Sequence, residues 1–138
     1  MEKQTMVKKK RSIHENATAV IIDDTTLNEE DQLFTELSKN LAEIRKTRGV
    51  VGYILRNATA ATIDLREPEK LVEYALLSSQ ALDSSQEISE LFELGDVESI
   101  LIEGKEIKVL CMNINGNKIS IFMETNADHT GILKRVSP

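Results

Sequence analysis

The stretch VLCMNINGNKISIF, residues 109–122, decides the fold. Asn115-Gly116 at its centre is the strongest signal in the chain for a two-residue β-hairpin turn, because such a turn needs residues that tolerate positive φ. The predicted cross-strand pairs are Met112 with Ile119 and Leu110 with Ile121 on one face, and Val109 with Phe122 and Cys111 with Ser120 on the other. Both faces carry large apolar groups, so the sequence predicts that both are covered.

The spacing of apolar residues around this hairpin predicts three helices and five strands in the order α-β-β-α-β-β-β-α. The predicted helices are Asn28–Arg48, Pro68–Leu94 and a short terminal one at Asp128–Val136, and the predicted strands lie near Val50–Arg56, Thr59–Leu65, Val97–Glu103, Glu106–Ile114 and Asn117–Thr125. Such a chain makes an α+β fold, in which one antiparallel sheet carries helices on both faces.

The first two strands are joined at Asn57-Ala58. If these two residues form the turn, Ile54 faces Ala61, and Val50, Gly52 and Ile54 share one face of the sheet. Gly52 is then expected to mark the close approach of a helix backbone.

The helix predicted over Pro68–Leu94 is apolar on more than one side. Its inward stripe is formed by Leu71, Ala75, Ser78 and Leu82, with Leu77, Ala81, Ile88, Leu91 and Phe92 near it. Val72 and Leu76 fall outside that stripe. Because a helix of this kind is usually buried on more than one side, the pattern indicates a second contact.

Composition and charge narrow the possible classes of protein. The 138 residues are enough for one domain, predicted over residues 28–138 with a tail at residues 1–27, and the net charge of −6 argues against general nucleic-acid binding. The single cysteine favours a reducing cytoplasm, and no apolar run is long enough to span a bilayer. Within the tail, Lys8–Arg11 is cationic, and Ala17–Ile22 has the composition of a strand that could join a sheet edge.

Few residues offer catalytic chemistry. Cys111 is predicted to be buried in a strand, and His14 and His129 are more typical of surface residues than of metal ligands or bases. Gly104-Lys105 lacks the flanking residues of a phosphate-binding loop and is predicted to be a hairpin turn. We therefore expect neither a cofactor nor a metal, and no enzymatic activity.

The pattern resembles the Roadblock/dynein light-chain family over about residues 29–136. The residues that carry the resemblance are the helix Leu33–Ile44, the stretch Gly49–Leu55, the helix Pro68–Leu94 with Gly95, the strands Ser99–Glu103, Ile107–Met112 and Lys118–Met123, and the segments Asn126–Asp128 and Gly131–Leu133. The resemblance implies a five-stranded sheet in the order 2-1-5-4-3, with the long helix on one face and the first and last helices on the other.

The resemblance also implies a dimer. In this family the third strands of two chains pair edge to edge and the two long helices pack together, as a homodimer or with a related Roadblock chain. Carried over to this sequence, the interface falls on Ser99, Ile100, Leu101, Ile102, Leu76, Gln80 and Asp83, to which the outward-facing Val72 is added.

Members of the family are scaffolds or regulators of Ras-like small GTPases, or subunits of dynein motors. The first hypothesis is therefore a non-catalytic dimeric scaffold that binds a small GTPase and influences its localisation or nucleotide cycle. The alternatives are a small-molecule-binding sensory module, a subunit of a larger motor or signalling assembly and, ranked last, an uncharacterised enzyme.

Overall fold

The computed structural model describes residues 29–138, so the predicted tail, its strand-like stretch Ala17–Ile22 and the predicted cap Asn28 lie outside the described residues. The helices are α1 (Glu29–Arg45), α2 (Leu71–Leu91, preceded by a 3₁₀ turn at Pro68–Lys70) and α3 (His129–Val136). The strands are β1 (Val50–Arg56), β2 (Ala61–Leu65), β3 (Ser99–Glu103), β4 (Ile107–Ile114) and β5 (Asn117–Glu124).

The five strands form one antiparallel sheet in the order β2-β1-β5-β4-β3. One face is covered by α2, and the other by α1 and α3. The α+β fold, the strand order and the distribution of helices are all confirmed. The reason is that β1, β4 and β5 are buried on both faces, so neither face can be left to solvent.

The β4–β5 hairpin has the predicted register throughout. Met112 pairs with Ile119, Val109 pairs with Phe122, and the turn residues have the positive φ values that a primed turn requires, 50° at Asn115 and 85° at Gly116. This hairpin is the part of the fold that local sequence specifies most fully.

The predicted register of the β1–β2 hairpin is wrong by two residues, because Ile54 pairs with Ile63 and not with Ala61. The loop spans Asn57–Ala60, and the Asn57 side-chain oxygen accepts hydrogen bonds from the backbone N–H groups of Thr59 and Ala60, each at 2.9 Å. An asparagine that satisfies its own turn in this way favours the longer loop. A shift of two residues leaves every side chain on its predicted face.

A β-bulge in β1 separates Val50 from Ile54. Val50 pairs with Met123 while Gly52 pairs with Phe122, so Val51 is an extra residue on the β1 side. Val50 therefore packs toward α1 and Val51 toward α2, which corrects the prediction that Val50 and Ile54 share a face.

Gly52 lies against the neighbouring strand and not against a helix. A Cβ built there would lie 2.5 Å from the Asp64 carbonyl oxygen and 2.6 Å from Leu65 Cδ2. The bulge brings the backbones of β1 and β2 so close that only glycine fits, which corrects the predicted approach of a helix.

The core on the α1 side is the larger of the two. Four α1 residues pack on the strands, together with Ile132 and Val136 of α3. They follow one another at about one helical turn and are Phe34, Leu37, Leu41 and Ile44. The α3 helix begins at Asp128, whose side chain accepts a hydrogen bond from the Gly131 N–H at 3.0 Å.

The core on the α2 side depends on few helix residues. Tyr74 stacks on Phe122, with ring centroids 4.4 Å apart and planes 13° apart. Ala81, about two helical turns further along α2, packs in the same core. Between them the hydroxyl groups of Ser78 and Ser120 are hydrogen bonded, and the Ser120 hydroxyl lies 3.3 Å from the Cys111 sulfur. A short polar chain thus joins helix to sheet inside an apolar layer.

The α2 helix ends at Leu91, three residues before the predicted end at Leu94. Glu93 has a φ of 54° and Gly95 a φ of 77°, so the backbone has already left the right-handed helical region. The Leu94 N–H donates to the Ser89 carbonyl at 2.9 Å, which closes the last turn.

We predict that Gly52→Ala lowers the free energy of unfolding by about 2 kcal/mol or more, because the new methyl group meets backbone and side-chain atoms of β2. Urea denaturation measures the change. Gly95→Ala is the matched control: its φ of 77° is strained for alanine, but no atom lies within 4 Å of the new Cβ, so a loss of about 1 kcal/mol is expected. An equal loss in the two variants would contradict the close approach of β2.

We predict that Cys111 does not react with iodoacetamide in the folded protein. Burial raises the pKa of its thiol, and the hydrogen bond from Ser120 opposes this only in part. Near pH 8.5, where an ordinary thiol is about half ionised, the folded chain should keep the sulfur protonated, whereas the urea-unfolded chain should be alkylated. Mass spectrometry of both samples tests this, and equal labelling rates would contradict it.

Candidate interaction surface

The outward face of α2 begins with an apolar pair. Val72 is 70% exposed and Leu76 is 58% exposed, one helical turn apart and directed away from the sheet. Gln80 and Asp83 continue the same stripe and are also exposed. These four residues, predicted as part of a dimer interface, therefore lie along one accessible line of the helix.

The other predicted interface residues lie on β3, which is an edge strand of the sheet. Ser99, Ile100 and Leu101 are half-buried, and Ile102 is 37% exposed. Ile100 packs into the α2 core, whereas Leu101 packs against the α1 core. Within residues 29–138, no strand pairs with the outer side of β3, so its backbone N–H and C=O groups on that side are available.

The two edges of the sheet differ in how they are protected. The β2 edge carries Asp64, whose carboxylate lies 3.4 Å from the Arg45 guanidinium. The β3 edge has the sequence Ser-Ile-Leu-Ile-Glu, with three consecutive apolar residues and neither lysine nor proline. A charged side chain inside a strand discourages pairing with another chain, and the only charged residue of β3, Glu103, is at its last position, so β3 is the edge better suited to pair.

The α2 helix also packs on β5 and β1, but its backbone comes closest to β4 and β3, at the β3 end of the sheet. The structure therefore places the outward α2 stripe and the β3 edge on the same side of the molecule. Sequence reasoning had placed both in one interface on the basis of a resemblance alone.

A second exposed apolar group lies at the C-terminal end of α2 and was not predicted. We call it the apolar patch; it consists of Ile88, Leu91, Phe92 and Leu94, with exposures of 47%, 75%, 65% and 61%. Three of these residues, Ile88, Leu91 and Phe92, are predicted to lie near the inward stripe, and their exposure shows that prediction to be wrong. The missed signal is the pair of small polar residues, Ser85 and Ser89, that stands on either side of Ile88 and lines the gap beside the sheet.

An open cleft of about 710 Å³ separates this half of α2 from the sheet. Its helix wall includes Leu82, Ser85 and Ser89, and its floor includes Ile100 and Cys111. Ser85 and Ser89 are too short to fill the space between this part of the helix and the sheet. We call this space the acidic cleft, because four carboxylate residues also line it, namely Asp83, Glu90, Glu93 and Asp96.

The charge around the acidic cleft is nearly all of one sign. Residues 71–104 contain eight Asp or Glu residues and no Lys or Arg, and Lys118 is the cation among the lining residues. The ion pairs found in the described part of the chain involve other carboxylates. The cleft therefore has a strongly negative potential and attracts cationic groups.

A separate polar cluster links α3 to the β3–β4 hairpin. Lys108 is 4% exposed, and its ammonium group donates to His129 Nδ1 at 3.0 Å and lies 3.9 Å from the Glu103 carboxylate. The His129 ring, predicted to be a surface group, is half-buried and accepts this hydrogen bond. The cluster gives a buried lysine two partners and fixes the start of α3.

Residues 29–138 contain no group of three His, Cys, Asp or Glu side chains arranged to hold a metal ion. None of their helices has the length and hydropathy needed to cross a membrane.

No protein-family model matches the sequence, and no curated protein matches it. Among solved structures, the chain is similar to the crystal structure of a Roadblock/LC7 domain from Streptomyces avermitilis, with a TM-score of 0.60. The match covers 75% of this chain and 88% of that chain, and the two sequences are 14% identical. The strand order, the helix placement and this likeness agree with the resemblance found in the sequence: the chain has the Roadblock/LC7 fold.

Proposed function

We propose that this protein is a non-catalytic, cytoplasmic scaffold that acts as a dimer and binds a Ras-like small GTPase, influencing its localisation or nucleotide cycle. The observation that carries the proposal is the unpaired β3 edge on the same side as the exposed pair Val72 and Leu76. In the Roadblock/LC7 fold, an unpaired β3 edge and an exposed helix face in these positions suit a dimer of this kind.

Dimerisation through β3 extends the sheet across a two-fold axis. Two copies of β3 run antiparallel, so each supplies the backbone hydrogen-bonding partners that the other lacks. The same axis brings two copies of the α2 stripe toward each other, which removes Val72 and Leu76 from water. Burying one such side chain is worth about 1.5–3 kcal/mol, so four of them contribute substantially to a stable pair.

A scaffold role also suits the chemistry of the side chains. The single thiol, Cys111, is fully buried, and burial keeps its pKa above the ordinary value, which disfavours a nucleophile. The Lys108 ammonium group is held between His129 and Glu103 in the interior and is not directed into a cleft. The exposed features of the molecule are surfaces that suit binding.

The GTPase is proposed from the resemblance to the Roadblock family, whose members regulate or scaffold Ras-like small GTPases. The partner of β3 is either a second copy of this chain or a related Roadblock chain. An enclosed pocket would favour a sensory module that binds a small molecule. The cleft described above is open and lined by carboxylates, so the scaffold is the better-supported function.

We predict that Leu76→Glu converts the dimer into a monomer of 15.5 kDa. The change removes apolar burial and places a charge where the two helices meet, so the dissociation constant should rise by about 100-fold or more. Sedimentation equilibrium measures the mass over a range of concentrations, and circular dichroism verifies that the variant is folded.

Two further variants control this experiment. Ile102→Asp at the β3 edge should have the same effect, whereas Ala42→Glu, a charge added at an exposed position of α1, should leave the dimer intact. A wild-type protein that is monomeric at micromolar concentration, or a Leu76→Glu variant with an unchanged dimer mass, would contradict the proposed interface.

We predict that the wild-type dimer, immobilised and exposed to native cytosol, retains a Ras-like GTPase and that binding depends on whether GDP or a non-hydrolysable GTP analogue is supplied. The captured GTPase is then purified, and its rates of nucleotide release and hydrolysis are measured with and without the dimer. If no Ras-like GTPase is retained with either nucleotide, the GTPase part of the proposal is wrong, even if the dimer is confirmed.

A further inference from the structure

The acidic cleft and the apolar patch form one continuous surface, which shares Asp83, Ser99 and Ile100 with the proposed dimer interface and otherwise lies outside it. Val72 and Leu76 lie in the first half of α2, whereas Glu90, Leu91 and Phe92 lie at its other end. Acidic residues are interspersed with apolar ones from Ile88 to Asp96, so the carboxylates lie beside the exposed apolar side chains. A surface of this type fits a segment that is both cationic and apolar.

We propose that the occupant of the acidic cleft is a segment of this same chain, the cationic stretch Lys8–Arg11. This stretch has four consecutive basic residues, whereas residues 71–104 have eight acidic residues and no basic one. The two segments are thus the extremes of positive and negative charge in a protein whose net charge is −6. Opposite potentials attract even before specific contacts form.

The residues beside the basic stretch match the apolar patch. Met6 and Val7 precede it, and Ile13 follows it after a single serine. In sequence, these three apolar side chains stand on both sides of the cations. In the cleft wall, Leu91, Phe92 and Leu94 likewise stand on both sides of Glu93. Contact between the two sets removes from water three of the four most exposed large apolar side chains of the described residues.

The start of α1 lies at the end of the sheet from which the cleft can be reached. The short connection at residues 46–49 and the packing of α1 along β1 place Glu29 toward the far end of β1. There Arg56 pairs with Lys118, which also lines the cleft. The first described residue, Glu29, therefore lies toward the β4–β5 turn, which forms one wall of the cleft.

The connecting chain is long enough for this contact. Residues 12–28 separate Arg11 from α1 and, at about 3.4 Å per residue, extend over roughly 58 Å. A domain of this size has a radius of gyration of about 13 Å. The segment can therefore pass around the end of the sheet to the α2 side without strain, and its tether keeps its local concentration high.

The proposal is tested with a spin label on the full chain. Because Cys111 is buried, a nitroxide attached to Ser12→Cys marks the basic stretch alone. In a ¹⁵N-labelled sample, the amide signals of Ser85, Ser89 and Gly95 should lose intensity severalfold relative to the reduced nitroxide. Signals from α1, on the opposite face of the sheet, should not. Broadening confined to α1 or to β2 would overturn the proposal.

Charge reversal provides the matched control. The same label in a chain carrying Lys8→Glu, Lys9→Glu, Lys10→Glu and Arg11→Glu should leave the cleft signals intact. Adding Glu90→Lys and Glu93→Lys, both at exposed positions, should restore the broadening because the charges are then complementary again. Failure of this rescue, with circular dichroism showing a folded chain, would mean that charge pairing does not hold the segment.

Salt and mixing separate the remaining possibilities. The broadening should weaken as salt is raised to about 0.5 M, where the Debye length falls to roughly 4 Å. A mixture of ¹⁵N-labelled chain without nitroxide and unlabelled chain with nitroxide should show no broadening in the cleft. If broadening appears in the mixture as well, the segment comes from a second copy and the same-chain assignment is wrong. The Leu76→Glu variant should keep the contact, which distinguishes this proposal from the proposed dimer.

Discussion

Strand β5 has no face left for solvent, and the rest of the structure follows from this constraint. It lies in the middle of the sheet between β1 and β4, and its side chains alternate between Ile119, Ile121 and Met123 on one side and Ser120 and Phe122 on the other. Both sets are fully buried. A strand of this kind must be covered by helices above and below, which is why three helices surround one sheet.

The two helical layers meet this constraint to different degrees. On one side, α1 and α3 together cover the sheet with a large apolar core. On the other side, α2 buries only Tyr74, Ser78 and Ala81 against the sheet, and an open cleft lies between its second half and the sheet. Because α2 is the single helix that covers this face of the sheet, part of its own surface and part of the sheet edge remain exposed. The exposed features on which both proposals rest belong to this incomplete layer.

Two different exposed surfaces lie along α2, one in each half of the helix. The first half presents Val72 and Leu76 beside an unpaired strand, which suits a partner that extends the sheet. The second half presents carboxylates around Leu91 and Phe92, which suits a cationic segment. The two surfaces meet at Asp83 and Ile100, which belong to the proposed dimer interface and also line the acidic cleft.

The sequence by itself determined the order of the elements, the faces of the strand residues outside the bulge in β1, and the β4–β5 register, because these depend on period-two alternation and on a turn whose residues tolerate positive φ. It also pointed to the Roadblock/LC7 fold and to the outward pair Val72 and Leu76. Only the tertiary structure decided the bulge at Val51, the contact of Gly52 with β2, and the open cleft between the sheet and the part of α2 that follows Ala81. The physical reason is that these features depend on how closely two elements distant in sequence can approach, and local periodicity carries no information about that distance.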